Sequence, residues 1–287
     1  MEPKFRIASI TDEFSPADPA RSLSQMASIG MTGAELRVLW GKNIMDLNDD
    51  EMARLRHLLQ GHNMEVISIA SPILKCVLPN GPEIDTRFQQ DIFNSKHTFE
   101  DQPELLERAF RIAKFFGARI IRVFSYWRTV DPDACFDAVC TAMQAMAEKA
   151  AKEDLIIGIE NEHACNIATA KQAARLLAAV QHPNLQLVWD PANALVSEEI
   201  PFPNGYAELP KNRIAHVHVK DCHMEGHKPI WGPVGTRQVD WKGQVAALAA
   251  DGYTGWLSLE THWPGPGGDK FLASTICGWN MRGLASM

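Results

Sequence analysis

The sequence predicts an α/β protein, a single (β/α)8 TIM barrel domain over residues 1–287, and three observations support this fold class. Its 287 residues are close to the roughly 250 that such a barrel typically needs. Eight short apolar runs alternate with longer segments in which apolar residues recur at helical spacing. No linker or low-complexity stretch separates one part of the chain from another, so we expect one domain.

The eight apolar runs are predicted to be strands. Runs that are apolar nearly throughout are typical of parallel strands covered on both faces. In chain order they are FRIASI (5–10), TGAELR (32–37), MEVISIA (64–70), ARIIRVFS (118–125), LIIGIEN (155–161), LQLVWD (185–190), IAHVHVK (214–220) and GWLSLE (255–260).

The segments between these runs are predicted to be helices. Asn48 is a favourable N-cap for the second helix, and Pro103 lies in the first turn of the third. The segment 194–213 contains three prolines, so we expect only a short helix there. The other predicted helices cover 18–29, 48–62, 103–116, 133–153, 168–180, 240–251 and 269–284.

The main alternative fold is an open, doubly wound parallel sheet. Its nucleotide-binding versions carry a glycine-rich turn after the first strand, whereas here TDEFSPADP follows that strand. The sequence also lacks the phosphate-binding motif GxxxxGK(S/T). Eight strand–helix units therefore favour the closed barrel.

The composition argues against several classes of partner. The net charge is −7 and the pI is about 5.8, whereas a nucleic-acid-binding protein usually shows a basic face. No apolar run approaches the roughly 20 residues that cross a bilayer, and the first residues do not resemble a signal peptide. The six cysteines form no CxxC pair, which favours reduced thiols. We therefore expect a cytoplasmic protein with neither a nucleic-acid nor a membrane partner.

Two predicted connections are long, 71–102 after the third strand and 221–239 after the seventh. Both leave the carboxyl ends of strands, which is the face where barrel active sites lie. Long loops in compact domains are usually functional or disordered. We expect these two to cover a substrate.

Four consecutive strands end in side chains that can bind a metal ion. Glu160 ends the fifth strand, Asp190 the sixth and Glu260 the eighth, while the seventh carries His216 and His218. A buried carboxylate without a partner is costly, so this shared placement indicates a common partner. Strand alternation turns Glu160 and Glu260 toward the barrel interior. We prefer His218 as the ligand because it lies closer to the barrel mouth than His216.

Three carboxylates and one imidazole form an oxygen-rich set of donors. Such a set favours one divalent metal ion, Mn²⁺, Mg²⁺ or Co²⁺, and it is also compatible with a catalytic Zn²⁺. A local zinc cluster is the alternative, although its spacing matches no common zinc finger. Its candidate ligands are His216, His218, Cys222, His223 and His227.

The motifs IENEH, WDPAN, HVHVKD and LSLETH, in this order and spacing, resemble those of the sugar phosphate isomerase/epimerase family, within the xylose isomerase-like barrels. The resemblance runs from GAELR (33–37) to LETH (259–262) and covers most of the chain. It aligns Glu35 with the family's second-strand glutamate and implies that Lys220 and the loop glycine Gly235 lie near the site. The metal ligands that it implies are Glu160, Asp190, His218 and Glu260.

The chain departs from this family's ketose 3-epimerases at two positions. Those enzymes carry a histidine three residues after the metal-binding aspartate, where this chain has Asn193. They also carry an arginine six residues after the metal-binding histidine, where this chain has Met224. Both changes weigh against a ketose 3-epimerase, and neither alters the metal ligands.

Further side chains around this centre are predicted to contact the substrate. His163 and His262 lie just beyond the glutamates of strands five and eight, although exposure to solvent is an equal alternative for both. Arg37 ends the second strand, where it could pair with a carboxylate or bind substrate. The predicted substrate contacts are Glu35, Arg37, His163, Asn193, His216 and Lys220.

The predicted activity is proton transfer next to the carbonyl of a small polyol or keto-sugar, phosphorylated or not. Glu160 and Glu260 would act as base and acid, with a metal ion stabilising an enediolate. Return of the proton to either carbon gives epimerisation or aldose–ketose isomerisation. Loss of a β-hydroxyl gives dehydration, as in the inosose dehydratases that this family also resembles, and the sequence leaves that alternative open.

Two more distant functions were considered. An endonuclease IV-like nuclease would need histidines at the ends of strands two and three, where this chain reads ELRVLW and IASPIL. A sugar-binding barrel without catalysis is disfavoured by the complete set of ligands. The sequence leaves a homo-oligomer open.

Overall fold

The computed structural model describes residues 4–88 and 96–287, and it shows a closed barrel of eight parallel strands. The strands are β1 Arg6–Ile10, β2 Gly33–Leu36, β3 Glu65–Ile69, β4 Ile120–Val123, β5 Ile156–Glu160, β6 Leu185–Trp189, β7 Ile214–Val219 and β8 Trp256–Leu259. Each pairs with its neighbour in the chain, and β1 pairs with β8 to close the ring. The predicted fold class is confirmed, and each predicted run contains one strand.

Helices alternate with these strands, as the spacing of apolar residues predicted. They are α1 Pro19–Ile29, α2 Asp49–Gly61, α3 Gln102–Phe116, α4 Phe136–Ala151, α5 Ala170–Ala179, α6 Pro191–Val196, α7 Trp241–Ala250 and α8 Lys270–Ala285. Asn48 caps α2 as predicted, because its Oδ1 accepts the Glu51 N–H at 2.9 Å and Glu51 Oε2 accepts the Asn48 N–H at 2.9 Å. Within the described ranges, no helix has both the length and the apolar character that crossing a bilayer requires.

The structure differs from the prediction in two connections. The range 194–213 contains only short helical segments, among them Pro201–Gly205 and Tyr206–Glu208, as predicted, but a further helix, α6, begins before it at Pro191, because the Asp190 side chain caps α6 by accepting the Asn193 N–H. The connection 221–239 contains an antiparallel hairpin of Asp221–Glu225 and Lys228–Gly232 rather than a loop throughout. Within the other long connection, 71–102, residues 89–95 lie outside the described ranges.

The amino end of the barrel is filled by apolar side chains. Ala8, Ile67 and Trp256 form a buried cluster there, and the Arg6 guanidinium lies 4.2 Å from the Trp256 ring centroid. Toward the carboxyl ends of the strands the interior becomes polar. Ser258, whose two neighbouring leucines belong to the outer core, donates a hydrogen bond to Glu35 there. The barrel is therefore closed at its amino end, and its buried polar groups lie toward the carboxyl ends of the strands.

Close packing of the interior predicts that Gly33→Ala destabilises the fold. A Cβ at Gly33 would lie 2.9 Å from the Ala8 Cβ and 2.8 Å from the Trp256 ring, and neither group has room to move. Overpacking of this kind costs about 1–3 kcal/mol of the free energy of unfolding. Urea unfolding followed by circular dichroism measures this change.

Gly61→Ala is the matched control. A Cβ at this last residue of α2 would meet no atom within 4 Å, so alanine should raise stability by about 0.4–1 kcal/mol. Equal unfolding midpoints for the two variants would contradict the packing described for the barrel interior.

Candidate metal centre

The structure brings four predicted ligands together at the carboxyl ends of neighbouring strands. They are Glu160 at the end of β5, Asp190 after β6, His218 on β7 and Glu260 after β8. Each offers a ligand atom that lies within 4.8 Å of the other three. Glu260 is 4% exposed and the other three are fully buried. Four side chains that are remote in the sequence thus share one small polar volume.

Two asparagines, Asn161 and Asn193, fix the direction of the Asp190 carboxylate. Asn161 accepts the Asp190 N–H at 2.8 Å and donates its amide to the Asp190 carbonyl at 2.8 Å. Asp190 Oδ1 accepts the N–H of Asn193 at 2.9 Å, which begins α6. These contacts direct the other oxygen, Oδ2, toward the cluster, where it lies 4.0 Å from His218 Nδ1.

His218 is the centre of the cluster. Its Nδ1 lies 3.1 Å from Glu160 Oε1 and 3.4 Å from Glu260 Oε2. Its Nε2 lies 3.2 Å from Glu35 Oε1 in the layer below. Burial alone would lower the pKa of His218, but the three carboxylates together raise it well above its usual value.

Glu35 and His216 lie beneath the four ligands and support His218. The His216 Nε2 is 2.8 Å from Glu35 Oε1, an oxygen that also accepts a hydrogen bond from Ser258. Burial would raise the pKa of Glu35, and the two histidines instead lower it well below its usual value. These contacts position the His218 ring, while substrate contact by Glu35 or His216 stays a prediction.

Three buried cations balance the carboxylates. Lys220 Nζ lies 2.9 Å from Asp190 Oδ2 and 3.0 Å from Glu260 Oε2. Arg37 Nη1 lies 2.8 Å from Glu260 Oε1, and Arg122 Nη1 lies 3.4 Å from Glu160 Oε2. Arg122 was not among the predicted site residues, although an arginine within the apolar run IIRV was a usable signal. Its register opposite Gly158 turns it toward the barrel interior.

The pKa values of the carboxylates reflect this balance. Burial has the largest effect on the pKa of Asp190 and raises it. Glu160 and Glu260 raise this pKa further while Lys220 lowers it, and the result is a pKa of about 6. Burial acts in the same direction on Glu260, but Lys220 and His218 hold the pKa of that carboxyl well below its usual value. The site therefore contains carboxylates with different proton affinities only a few ångströms apart.

The donor set fits a divalent metal ion. Glu160 Oε2 and Asp190 Oδ2 are buried and, among the described residues, accept no hydrogen bond of good geometry, although Arg122 Nη1 lies 3.4 Å from the first and Lys220 Nζ 2.9 Å from the second. A buried carboxylate oxygen of this kind is costly unless a cation binds it. Three carboxylates and one imidazole suit Mn²⁺, Mg²⁺ or Co²⁺, and they are also compatible with catalytic Zn²⁺.

The local zinc cluster considered from the sequence does not assemble. His227 pairs with Glu198 and His223 with Glu225, both at the protein surface. Within the described ranges, Cys222 belongs to neither of the two groups that could hold a metal ion. One of these groups is the four-residue cluster, and the other is Glu35 with His216 and His218.

His163 and Asn193 lie together above the ligands. His163 Nδ1 is 2.9 Å from Asn193 Oδ1 and 2.9 Å from Glu162 Oε1. Asn193 in turn lies 3.4 Å from Glu160 Oε1 through its side-chain nitrogen. Burial would lower the pKa of His163, and Glu162 raises it. Glu162, two residues after the ligand Glu160, was missed in the sequence although it belongs to the motif IENEH.

The hairpin and loop after β7 are held against the same end of the barrel. Asp221 accepts backbone N–H groups of Thr236, Arg237 and Val239 at 3.0–3.2 Å. The hairpin places the Trp231 ring 5.8 Å from Lys220 Nζ and 4.6 Å from the His262 ring. A Cβ at Gly235 would lie 3.5 Å from Leu284 of α8, and the φ of +75° explains the glycine, while its closeness to the site stays a prediction.

These features describe a (β/α)8 barrel with a candidate divalent-metal centre at the carboxyl ends of its strands. A family model, the xylose isomerase-like TIM barrel, matches residues 23–275. The chain therefore belongs to the xylose isomerase-like TIM barrel family. No curated protein matches the chain by sequence at a significant level.

Several solved structures share the fold at low sequence identity. The IolI protein with a bound zinc atom superposes with a TM-score of 0.74 at 14% identity, covering 98% of both chains. A probable 3-DHS dehydratase, AsbF, from Bacillus anthracis gives 0.69 at 17%, covering 96% of this chain and 97% of that one. D-psicose 3-epimerase with D-tagatose from Clostridium cellulolyticum H10 gives 0.68 at 14%, covering 98% and 96%.

A longer protein contains the same barrel as one part. The chain matches a fusion of a xylose isomerase-like TIM barrel with 4-hydroxyphenylpyruvate dioxygenase at 19% identity and a TM-score of 0.68. It covers 41% of that protein's length. At these identities the structural likeness shows the fold alone, so the chemistry must be argued from the site.

The donor set predicts that Mn²⁺ raises the thermal stability of the protein and that Asp190→Asn abolishes most of this increase. Ligand present at about 100 times its Kd stabilises a protein by about 2.7 kcal/mol. Loss of one charged ligand should weaken binding by more than about 10-fold. Calorimetric melting with and without Mn²⁺ measures the increase for each variant.

Asp154→Asn is the control for this experiment. This substitution makes the same chemical change at the surface, because the Asp154 side chain is 90% exposed and pairs with Arg119. The metal-dependent increase should survive this substitution unchanged. An equal increase in wild type and Asp190→Asn would show that the ion binds elsewhere.

Arg37→Met should be strongly destabilising. Arg37 lies 2.8 Å from Asp12, 2.7 Å from Glu13 and 2.8 Å from Glu260, so its removal leaves three buried carboxylates without this cation. Breaking a buried ion pair in this way costs about 3–5 kcal/mol. Arg119→Met at the surface should cost less than about 1 kcal/mol. Similar unfolding free energies for both variants would contradict a structural role for Arg37.

Proposed function

We propose that the protein is a divalent-metal-dependent isomerase or epimerase of a sugar or sugar phosphate. The reaction would be proton transfer through an enediolate. The observation that carries this proposal is the approach of Glu160 and Glu260 to His218 from different strands. Two carboxylates that reach one substrate from different strands can remove a proton from a carbon and return one to it.

Glu160, Asp190, His218 and Glu260 would hold the ion. Once bound, it would polarise a substrate carbonyl and make the neighbouring C–H more acidic. The residues of the chain supply the proton transfers. Glu260, whose pKa is held low by Lys220 and His218 against the effect of burial, is ionised at neutral pH and suits the role of base. Glu160 reaches the same metal cluster from β5 and suits the role of the acid that returns the proton.

The surroundings of these carboxylates favour such transfers. Arg122 and Asn193 contact the two oxygens of Glu160, and Lys220 and Arg37 contact those of Glu260. Each carboxylate is therefore held in one orientation before a substrate arrives. Burial of the whole cluster strengthens its electrostatic interactions relative to those in water.

Dehydration is a second candidate, and two residues favour it. Asn193 stands where this family's ketose 3-epimerases carry a histidine, and an amide does not titrate as that histidine does. Lys220 Nζ lies 3.0 Å from Glu260 Oε2 and can donate a proton to a departing hydroxyl group. In that reaction a carboxylate takes the C–H proton, the β C–O bond breaks, and the hydroxide leaves as water. An inosose-type substrate would suit this chemistry.

The more distant functions gain no support from the site. Strands β2 and β3 end without the histidines that an endonuclease IV-like nuclease would need, and Arg37 follows β2 instead. We expect a small polyol or keto-sugar as the partner, with no nucleic acid and no membrane. A cytoplasmic location and a homo-oligomer remain predictions from the sequence alone.

The proposal predicts exchange of a substrate C–H proton with deuterated solvent in the metal-loaded protein. Ketoses, aldoses and inososes would be screened by NMR. Glu160→Gln and Glu260→Gln should each lower the exchange rate by about 10²–10⁴-fold, because general acid–base catalysis contributes that much. Both variants should retain the fold.

The product distinguishes the two candidate reactions. Isomerisation or epimerisation gives a product of the same formula carrying solvent deuterium, whereas dehydration gives one that has lost water. Glu65→Gln, at the exposed start of β3 and at the other end of the barrel, is the control and should leave the rate unchanged. Near-normal turnover by Glu160→Gln would refute its role in proton transfer.

A further inference from the structure

A cavity of about 330 Å³ lies at the carboxyl end of the barrel, beside the candidate metal centre. Its lining includes Arg87 and Phe88 from the connection after β3 and Arg128 from the connection after β4. Ser197 and Glu198 follow α6, and His227, whose Nδ1 lies 2.6 Å from Glu198 Oε1, lies in the turn of the hairpin. All these segments follow strand carboxyl ends, the face of a barrel where substrates bind.

Arg128 is the notable cation in this lining. Its guanidinium lies 4.3 Å from the Phe88 ring centroid, and its one hydrogen bond to a described residue, the His163 carbonyl, is long at 3.4 Å. Within 4–88 and 96–287, no carboxylate lies within 4.0 Å of it. Arg87 in the same cavity differs, because it forms a two-point ion pair with Asp85.

The backbone holds Arg128 firmly in place. Its N–H donates to the Ala164 carbonyl at 2.8 Å, and its carbonyl accepts the Asp85 N–H at 2.9 Å. The adjoining residues form isolated bridges, Trp127 with Cys165 and Thr129 with Ile84. Its backbone is thus held in place, and among the described residues most of the five N–H donors of its guanidinium are unused, which suits a ligand.

Two further observations indicate an anionic ligand. Burial is the main reason that the pKa of Arg128 is lowered, so the protein pays for holding this cation partly out of water. The hydroxyl oxygen of Ser197 is also buried and has no hydrogen-bond partner in the described part of the chain. A guanidinium and a hydroxyl are donors typical of carboxylate and phosphate sites.

The cavity is linked to the candidate metal centre by direct contacts. Arg128 contacts His163, whose ring is also 6.3 Å from that of Phe88. His163 contacts Asn193, and Asn193 contacts Glu160. A substrate that extends past Asn193 and His163 would have its reacting carbon at the ligands and its far end in the cavity.

We infer that this cavity binds the anionic end, a phosphate or a carboxylate, of the substrate handled at the metal centre, with Arg128 as its anchor. This inference rests on the proposed function and makes it more specific. It selects sugar phosphates or sugar acids over neutral sugars. It also assigns specificity to a residue that does not take part in proton transfer.

Binding of inorganic phosphate to the magnesium-loaded protein tests the site without requiring turnover. Calorimetric titration should show saturable binding that Arg128→Gln weakens by about 10–100-fold, the effect of a hydrogen bond to a charged group. Ser197→Ala should weaken binding by a smaller factor. Arg128→Lys should retain part of the affinity for phosphate, because the positive charge remains while the two-point hydrogen bonding of the planar guanidinium is lost.

Arg175→Gln is the matched control. Arg175 also lies over a phenylalanine ring, at 3.7 Å from that of Phe136, but it is half-exposed and pairs with Asp133. Its loss should leave phosphate affinity unchanged. Absence of phosphate binding in wild type, or equal affinity in Arg128→Gln and wild type, would overturn the inference.

Proton exchange adds a kinetic test, with ribulose and ribulose 5-phosphate as one pair of probes and a ketose and its uronate as another. Arg128→Gln should raise KM for the anionic member by about 10–100-fold, leave kcat nearly unchanged and spare the neutral member. Equal effects on both members would overturn the inference while leaving the proposed function intact. Phosphate binding that depends on Arg128, without proton exchange by any probe, would instead refute the proposed function.

Discussion

Compensation of buried negative charge is the constraint on which the rest of this structure depends. The barrel interior holds four carboxylates that are at most 4% exposed, those of Glu35, Glu160, Asp190 and Glu260. An isolated buried ion costs several kcal/mol, so the fold must supply partners. Arg37, Arg122 and Lys220 do so from on or just after three strands, yet Glu160 Oε2 and Asp190 Oδ2, which face two of these cations, accept no hydrogen bond of good geometry within the described ranges. A divalent cation is the partner that best completes this balance.

The sequence predicted those features that depend on local pattern. Apolar runs located the eight strands, and the polar residue ending each of four runs located the side chains that the structure brings together. Asn48 predicted the start of α2, because a cap is a local interaction. Period-two alternation turned Glu260 toward the interior of the barrel, and Ser258, two residues earlier on the same face, donates a hydrogen bond to Glu35 there. Closure of a barrel converts these local signals into one shared site.

Features that depend on contacts between distant segments could not be predicted. Asn161 orients Asp190 from 29 residues away, and nothing in either local sequence signals that contact. The apolar run around Arg122 signals a buried cation, but only the closed barrel shows that its partner is Glu160. Asp190 ends a strand and also caps a helix, α6, which the sequence did not predict. The hairpin after β7 was hidden because neither of its strands, DCHME and KPIWG, shows a continuous apolar run.

Anomalous diffraction from a crystal grown with Mn²⁺ tests the central claim most directly. We expect one strong peak in the barrel mouth, at roughly 2.0–2.3 Å from one atom each of Glu160, Asp190, His218 and Glu260. A peak elsewhere, or an empty cluster with Lys220 still between Asp190 and Glu260 at saturating Mn²⁺, would contradict the account. The buried ion pairs would then serve only to stabilise the barrel.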